Sequence, residues 1–290
     1  MKILLTGATG FLGGYLLNHF DSVGIHTMKV GRGVGNDVVC DLSETAPELI
    51  DSMEVDMVVH NAGKAHVVPK NEAEGQVFFD VNVCGTKHLL QALSSLKKKP
   101  SCFVFVSTVA VYGLEVGENI DESCALKGAS PYAKSKIEAQ KLVQDWCKIH
   151  EVNAVILRLP LVVGENAPGN LGAMARAMKK GYYFRLGSGN ARRSMVNAED
   201  VAKLIPSLAD KNGIYNLTDG LHRSFAEMDQ LLADKYGKRV KVIPVWMGQL
   251  LARVGDVIPG FPLNRNRLQK LEQCLTFNDE KAVRDLNWRT

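Results

Sequence analysis

An open parallel sheet covered by helices on both faces is the α/β fold class this chain predicts, and two observations carry the prediction. The first is a rhythm in which short, continuously apolar runs alternate with amphipathic segments. Strands buried on both faces read as unbroken apolar runs, and parallel strands need a crossover, usually a helix, between them. The second is a glycine-rich turn, Thr6-Gly7-Ala8-Thr9-Gly10-Phe11-Leu12-Gly13, set between the first apolar run and the first amphipathic one.

Taken in order, strands are expected at residues 3–6, 27–30, 57–60, 102–107 and 154–159, with a strand-like stretch at 38–40. Helices are expected at 11–20, where an apolar run follows the turn, at 78–96, and at 132–150, where Pro131 marks a first helical turn. After Leu159 the rhythm becomes irregular. Loops fall at 164–170 and 187–190, and helical patterns at 171–180, 224–235, 245–254 and 278–286. The expected organisation is a first domain over residues 1–160 and a smaller α/β lobe over 161–290, interleaved near 190–220. Repeats and low-complexity tracts do not occur.

With 290 residues, 46% hydrophobic and 23% charged, the chain is long enough for a large core and has an ordinary globular composition. The net charge is only +4, much of it in Lys97-Lys98-Lys99, which reads as a solvated helix end. No nucleic-acid partner is expected from it. The six cysteines (Cys40, Cys84, Cys102, Cys124, Cys147, Cys274) are scattered, without CxxC or histidine partners. That spacing argues for idle thiols in a reducing compartment, and for neither disulfides nor a metal site. A strand starting at Lys2 leaves no room for a signal peptide, and no stretch approaches the ~20 apolar residues of a membrane span. The expected location is cytoplasmic.

The glycine turn has a mechanism. One glycine allows a backbone bend that side chains forbid, a second lets the chain approach a pyrophosphate, and a third lets the helix pack close. The helix N-terminus then offers N–H groups and a positive dipole end to phosphate. The spacing Gly7-x-x-Gly10-x-x-Gly13 differs from the familiar G-x-G-x-x-G, but its strand-then-helix context is the one a Rossmann-type dinucleotide site requires. Downstream, Tyr132 and Lys136 lie one helical turn apart on one face. A phenol with an ordinary pKa of about 10 is a poor base, and a neighbouring ammonium favours its phenolate. The strand at 102–107 ends in Ser107-Thr108, whose hydroxyls stand where a substrate oxygen would be held. Each feature singly has a plain structural explanation: a surface helix carrying Tyr and Lys, or a strand-end hydroxyl capping backbone. Jointly they point to a nicotinamide dinucleotide with a tyrosine doing proton chemistry beside it.

With these elements in place, the sequence resembles the extended short-chain dehydrogenase/reductases, in particular the nucleotide-sugar epimerase/dehydratase/reductase group. The likeness covers nearly the whole chain and rests on Thr6-Gly7-x-x-Gly10-x-x-Gly13, Ser107-Thr108-x-x-Val111-Tyr112-Gly113 and Pro131-Tyr132-x-x-Ser135-Lys136, in order and spacing. The resemblance implies catalytic roles for Thr108, Tyr132 and Lys136, with Ser107 supporting Thr108 or touching substrate. It implies cofactor contacts from Gly7, Thr9, Gly10, Phe11 and Leu12 in the turn, and from Asp41-Leu42 at the adenine. Asn61-Ala62-Gly63 would line the cofactor, Asn82 would support the site, and Leu159-Pro160 after Arg158 would meet the nicotinamide. Asn170 and Arg193 fall where relatives hold a nucleotide diphosphate, and an arginine's planar fork suits that group. His60 reads as a packed histidine. Helices 78–96 and 132–150 resemble the family's dimer face, so a homodimer is expected.

Two departures narrow the expectation. Where NAD users present a carboxylate to the ribose diol, this chain has Gly31 followed by Arg32, which suits a 2′-phosphate. NADP(H) is therefore favoured, with NAD(H) possible. The family's sugar-nucleotide 4,6-dehydratases follow the catalytic hydroxyl with Asp-Glu, and here Val109-Ala110 stand in that place. That argues against dehydration and leaves 4-keto reduction of a nucleoside-diphosphate sugar, with 4-epimerisation as the alternative. A reductase of small hydrophobic ketones would share the cofactor motifs without needing Arg193. A non-catalytic NADP(H)-binding regulator would not need the tyrosine–lysine pair. No G-x-S-x-G elbow supports a serine hydrolase.

Overall fold

The computed structural model describes residues 1–50, 53–65, 67–249, 256 and 272–288. The chain runs β1 (Lys2–Thr6), α1 (Phe11–Ser22), β2 (His26–Gly31), β3 (Val38–Val39), β4 (Met57–His60), α2 (Glu72–Phe79), α3 (Gly85–Ser95), β5 (Cys102–Thr108), β6 (Gly117–Ile120), α4 (Pro131–Ile149) and β7 (Asn153–Leu159). It continues through β8 (Leu161–Val163), α5 (Gly169–Lys180), β9 (Phe184–Leu186), β10 (Met195–Asn197), α6 (Ala198–Leu204), β11 (Gly213–Asn216), α7 (Phe225–Tyr236), β12 (Lys241–Ile243) and β13 (Leu275–Phe277), and a short helix, Glu280–Leu286, follows. Seven strands form one parallel sheet in the order β11-β7-β5-β4-β1-β2-β3. The strand order reverses beside β1, and the crevice above such a reversal is where open sheets bind ligands.

β1 shows why the sheet needs helices on both faces. Ile3 and Leu5 enter one core with Leu12, Leu16 and Phe20 of α1 and Val201 of α6. Leu4 enters the other with Leu89 and Leu93 of α3 and Val143 and Trp146 of α4. Successive side chains of a strand point to opposite faces, so an all-apolar strand fills two layers at once. Truncating the fully buried Phe20 to Ala would cost about 3–5 kcal/mol.

All five expected strands are present, and the helix expected at 132–150 is α4. The element expected at 78–96 differs. It begins at Glu72, where the Asn71 side chain accepts from Glu74 N at 2.9 Å, and a π-helical turn, Asp80–Cys84, separates α2 from α3. The irregular second half returns to the main sheet: β11 pairs with β7, and α6 packs on α1. The other late strands form two-stranded parallel pairs, β8 with β10, β9 with β12 and β6 with β13. Of the helix expected at 245–254, residues 245–249 are helical and the rest lies outside the described residues. Among the described residues, no helix is long and apolar enough to cross a membrane.

Candidate active site

The glycine turn is built for close approach. Gly7 has φ +70°, and a Cβ there would stand 2.6 Å from Ala62 N. A Cβ on Gly13 would stand 2.1 Å from Gly7 O, so only glycine lets α1 start so close to the turn. Asn61 Nδ2 donates to Gly7 O at 3.0 Å, tying the end of β4 to the bend. Gly10 precedes α1 with no side-chain cap and no acidic residue in the first turn, although other helices here are capped by Ser130 or Ser224. That uncapped positive end, bordered by Thr9, Phe11 and Leu12, fits an anionic pyrophosphate.

The residues expected at the adenosine end follow β2. A Cβ on Gly31 would approach the Asn36 side-chain amide to 3.1 Å, so a larger residue there would first have to displace it. Arg32, with 78% of its side chain exposed, reaches Asp41 Oδ2 at 3.7 Å. Asp41 Oδ1 accepts from Ser43 N at 3.0 Å and Ser43 Oγ at 2.6 Å, and those bonds, with Arg32, hold its carboxyl below the usual range. Leu42 O pairs with His88 Nδ1 at 2.7 Å, fixing this loop to α3. The residues present thus fit an NAD(P) cofactor, with the exposed Arg32 guanidinium beside the expected ribose position.

Beside the cofactor crevice, β5 and α4 bring Thr108, Tyr132 and Lys136 together. The Thr108 hydroxyl stands close enough to the Tyr132 phenol to favour its phenolate, and it caps the following turn by accepting from Ala110 N at 3.2 Å. Lys136 is 5% exposed, donates to Val106 O at 2.7 Å and lies 3.9 Å from the Phe105 ring centroid. Burial pulls its pKa down to about 7. Burial pushes the Tyr132 phenol up, and the Thr108 hydrogen bond opposes it. The lowering expected from Lys136 is absent in this arrangement, because its ammonium is turned to the Val106 carbonyl.

Ser107 takes the first of the two roles expected of it, a supporting one. It is 4% exposed and accepts from Gln140 Nε2, so its hydroxyl supports the site from within and does not face substrate. Gln140 Oε1 accepts from the buried Arg158 Nη2 at 3.2 Å, and Arg158 Nη1 donates to Tyr112 Oη at 3.0 Å. Arg158 therefore braces the strand end from below, ahead of the buried Leu159 and half-buried Pro160. Asn82, in the π turn, is also interior: Oδ1 accepts from Lys64 N at 2.7 Å and Nδ2 donates to Ser135 Oγ at 2.8 Å. It packs beneath Gly63, where a Cβ would approach Oδ1 to 3.1 Å. Gln140 is the residue that the sequence reading missed. Its signal was spacing, since Tyr132, Lys136 and Gln140 repeat every four residues along one helix face.

The residues expected at the diphosphate stand apart from this cluster in the chain. Arg193 donates to the Gln273 and Arg192 carbonyls and lies 5.6 Å from the Phe225 ring centroid. Asn170 occupies the first turn of α5, and its side chain lies outside the described residues.

A family model described as the NAD dependent epimerase/dehydratase family matches residues 3–218. UDP-glucose 4-epimerase from Vibrio cholerae is 29% identical over 275 residues, spanning 87% of this chain and 82% of that protein. Among solved structures, RMD from Pseudomonas aeruginosa complexed with NADPH superposes with TM-score 0.74 at 21% identity, covering 100% of this chain and 94% of the other. Thermus thermophilus UDP-glucose 4-epimerase complexed with NAD gives TM-score 0.73 at 21% identity, with the same two coverages.

Proposed function

The chain belongs to the NAD dependent epimerase/dehydratase family, and we propose that within it the protein is an NADP(H)-dependent reductase of a nucleoside-diphosphate 4-keto sugar. The observation that carries the reading is the Thr108–Tyr132–Lys136 cluster followed by the apolar Val109 and Ala110. One phenol moves one proton here, and the described residues that follow Thr108 are apolar where a carboxylic acid–base pair would expel water.

When bound, the nicotinamide supplies or accepts the hydride at the sugar carbon. Tyr132 gives its hydroxyl proton to the carbonyl oxygen as that oxygen gains negative charge, and Thr108 orients the same oxygen through its hydroxyl. The Lys136 ammonium, turned to the Val106 carbonyl in the ligand-free arrangement, is assigned to the phenolate left on Tyr132 and to the nicotinamide ribose. Arg193 and Asn170 are assigned to the diphosphate, and a homodimer is assigned to residues 78–96 and 132–150; sedimentation showing only monomer at micromolar protein would remove that assembly. Retained NAD with 4-epimerisation is the second reading, favoured by the likeness to the Vibrio cholerae enzyme.

The deciding experiment offers the protein NADPH with a nucleoside-diphosphate 4-keto-6-deoxy sugar, and separately a UDP-hexose without added cofactor. Stoichiometric NADPH oxidation with the first supports the reductase. Interconversion of the second without net oxidation replaces it with the epimerase, and no reaction with either removes both.

A further inference from the structure

β9 and β12 run parallel, with Lys241 opposite Phe184 and Ile243 opposite Leu186, so both begin at the same end of their two-stranded sheet. The chain enters β9 through Lys179-Lys180-Gly181-Tyr182 and β12 through Lys235-Tyr236-Gly237-Lys238-Arg239. Topology thus gathers six exposed cations, Lys179, Lys180, Lys235, Lys238, Arg239 and Lys241, at one edge. Among the described residues, none of the six forms an ion pair with a carboxylate. In a chain whose net charge is +4, these six cations are a second concentration of positive charge beside Lys97-Lys98-Lys99.

Large apolar side chains are exposed on and beside the same two strands. Tyr182, Phe184, Val242, Trp246 and Met247 are all exposed, Trp246 by 62%. Residues 245–249 continue the apolar surface toward the other end of the same short sheet, where a Cβ on Gly248 would come within 2.3 Å of Leu186 Cδ1, two residues along β9 from Phe184. The Lys241 ammonium lies 5.5 Å from the Phe184 ring centroid, its stem along the ring. Clustered exposed apolar groups mark an interaction surface. Tryptophan and tyrosine favour the boundary between acyl chain and headgroup, and lysine stems bury there while the charge stays wet.

We propose that this edge docks on an anionic phospholipid surface. A single-stranded nucleic acid would neutralise the cations and stack on the rings, but it would leave Val242 and Met247 in water. A bilayer interface takes up both, with the cations facing lipid phosphates. The proposal is independent of the reaction assigned above.

The test is sedimentation of the intact protein with phosphatidylcholine vesicles, with and without phosphatidylglycerol. Binding should require the anionic lipid and weaken with salt. Each cation near such a surface contributes about fivefold, so the triple variant Lys238→Glu, Arg239→Glu, Lys241→Glu should bind more than tenfold more weakly. Unchanged cofactor titration in that variant shows that it is folded. Of the three tryptophans, Trp146 and Trp288 are buried, so vesicles should blue-shift emission through Trp246 alone, and Trp246→Phe should abolish the shift. No binding at millimolar anionic lipid, binding indifferent to the triple variant, or preference for single-stranded RNA over vesicles would each overturn the proposal.

Discussion

His60 Nδ1 accepts from Thr6 Oγ1 at 2.7 Å, and the neighbouring bonds fix the direction of this one. Thr6 Oγ1 accepts from Ala62 N at 3.1 Å, and its own proton goes to the imidazole because the other ring nitrogen carries the ring hydrogen. On the other side, Thr86 spends its proton on Asn82 O at 2.6 Å, so it accepts from His60 Nε2 at 3.0 Å. The neutral Nε2–H tautomer is therefore built in. It joins the strand before the glycine turn to the π turn that carries Asn82.

Protonating His60 would break the bond from Thr6 and place a second cation near Lys136. Burial first, and then the Lys136 charge, lower its pKa from 6.5 to about 3. Between those values the unfolded chain binds a proton that the folded chain refuses, so stability falls as pH drops through that window. The loss should be on the order of a few kcal/mol when complete. His60→Gln keeps a donor and an acceptor but does not titrate, and it should be less stable at neutral pH yet flatter with acid. Denaturation midpoints of both proteins at neutral pH and near pH 4 check this. Parallel acid losses in the two would show that His60 is not the source.

Tyr132→Phe removes one oxygen and little volume beside Thr108. Turnover should fall by about 10²–10⁴-fold, the usual worth of a positioned proton donor, with cofactor affinity nearly intact. Turnover within twofold of wild type would unseat the phenol.

Lys136 is pulled down to about 7, so its ammonium is lost as pH rises past neutrality in the ligand-free protein. If the charged form holds the nicotinamide ribose, cofactor affinity should weaken as pH rises above about 7. Lys136→Met should bind cofactor weakly at every pH and lose that dependence. Cofactor titrations across pH check it, and a wild-type affinity that is flat with pH would remove the ribose contact.

The sequence made the sheet and crevice legible because their signals are local: apolar runs, a glycine turn, and a tyrosine and lysine one turn apart. What stayed hidden depends on partners distant in sequence. Ser107 and Thr108 are adjacent hydroxyls, and only Gln140, 33 residues away, decides that Ser107 turns inward. Arg158 sits in an apolar strand and acquires its purpose from Gln140 and Tyr112. The early start of α2 was readable in Asn71 and Glu74, a cap three residues from its partner. The π turn at Asp80–Cys84 left no mark in the local pattern, and Asn82 reaches both Lys64 and Ser135 from it.

Cofactor choice turns on Arg32 and Asp41. The guanidinium is mostly exposed and 3.7 Å from the carboxylate, so that ion pair is weak and easily exchanged for a stronger anion. A ribose 2′-phosphate carries more charge than Asp41 and accepts charge-assisted bonds worth roughly 1.5–3 kcal/mol. NADPH should therefore bind on the order of tenfold or more tighter than NADH. Arg32→Ala should erase most of that preference with little effect on NADH, since only the phosphate contact is lost. Asp41→Asn should widen the preference, because it removes the competing carboxylate and its repulsion toward the phosphate. High salt should narrow the gap in the wild type by screening an exposed contact. Titrating both cofactors into the three proteins decides it. Equal wild-type affinities would return Arg32 to Asp41 and solvent, and with NAD as the resident cofactor the epimerase reading would displace the reductase.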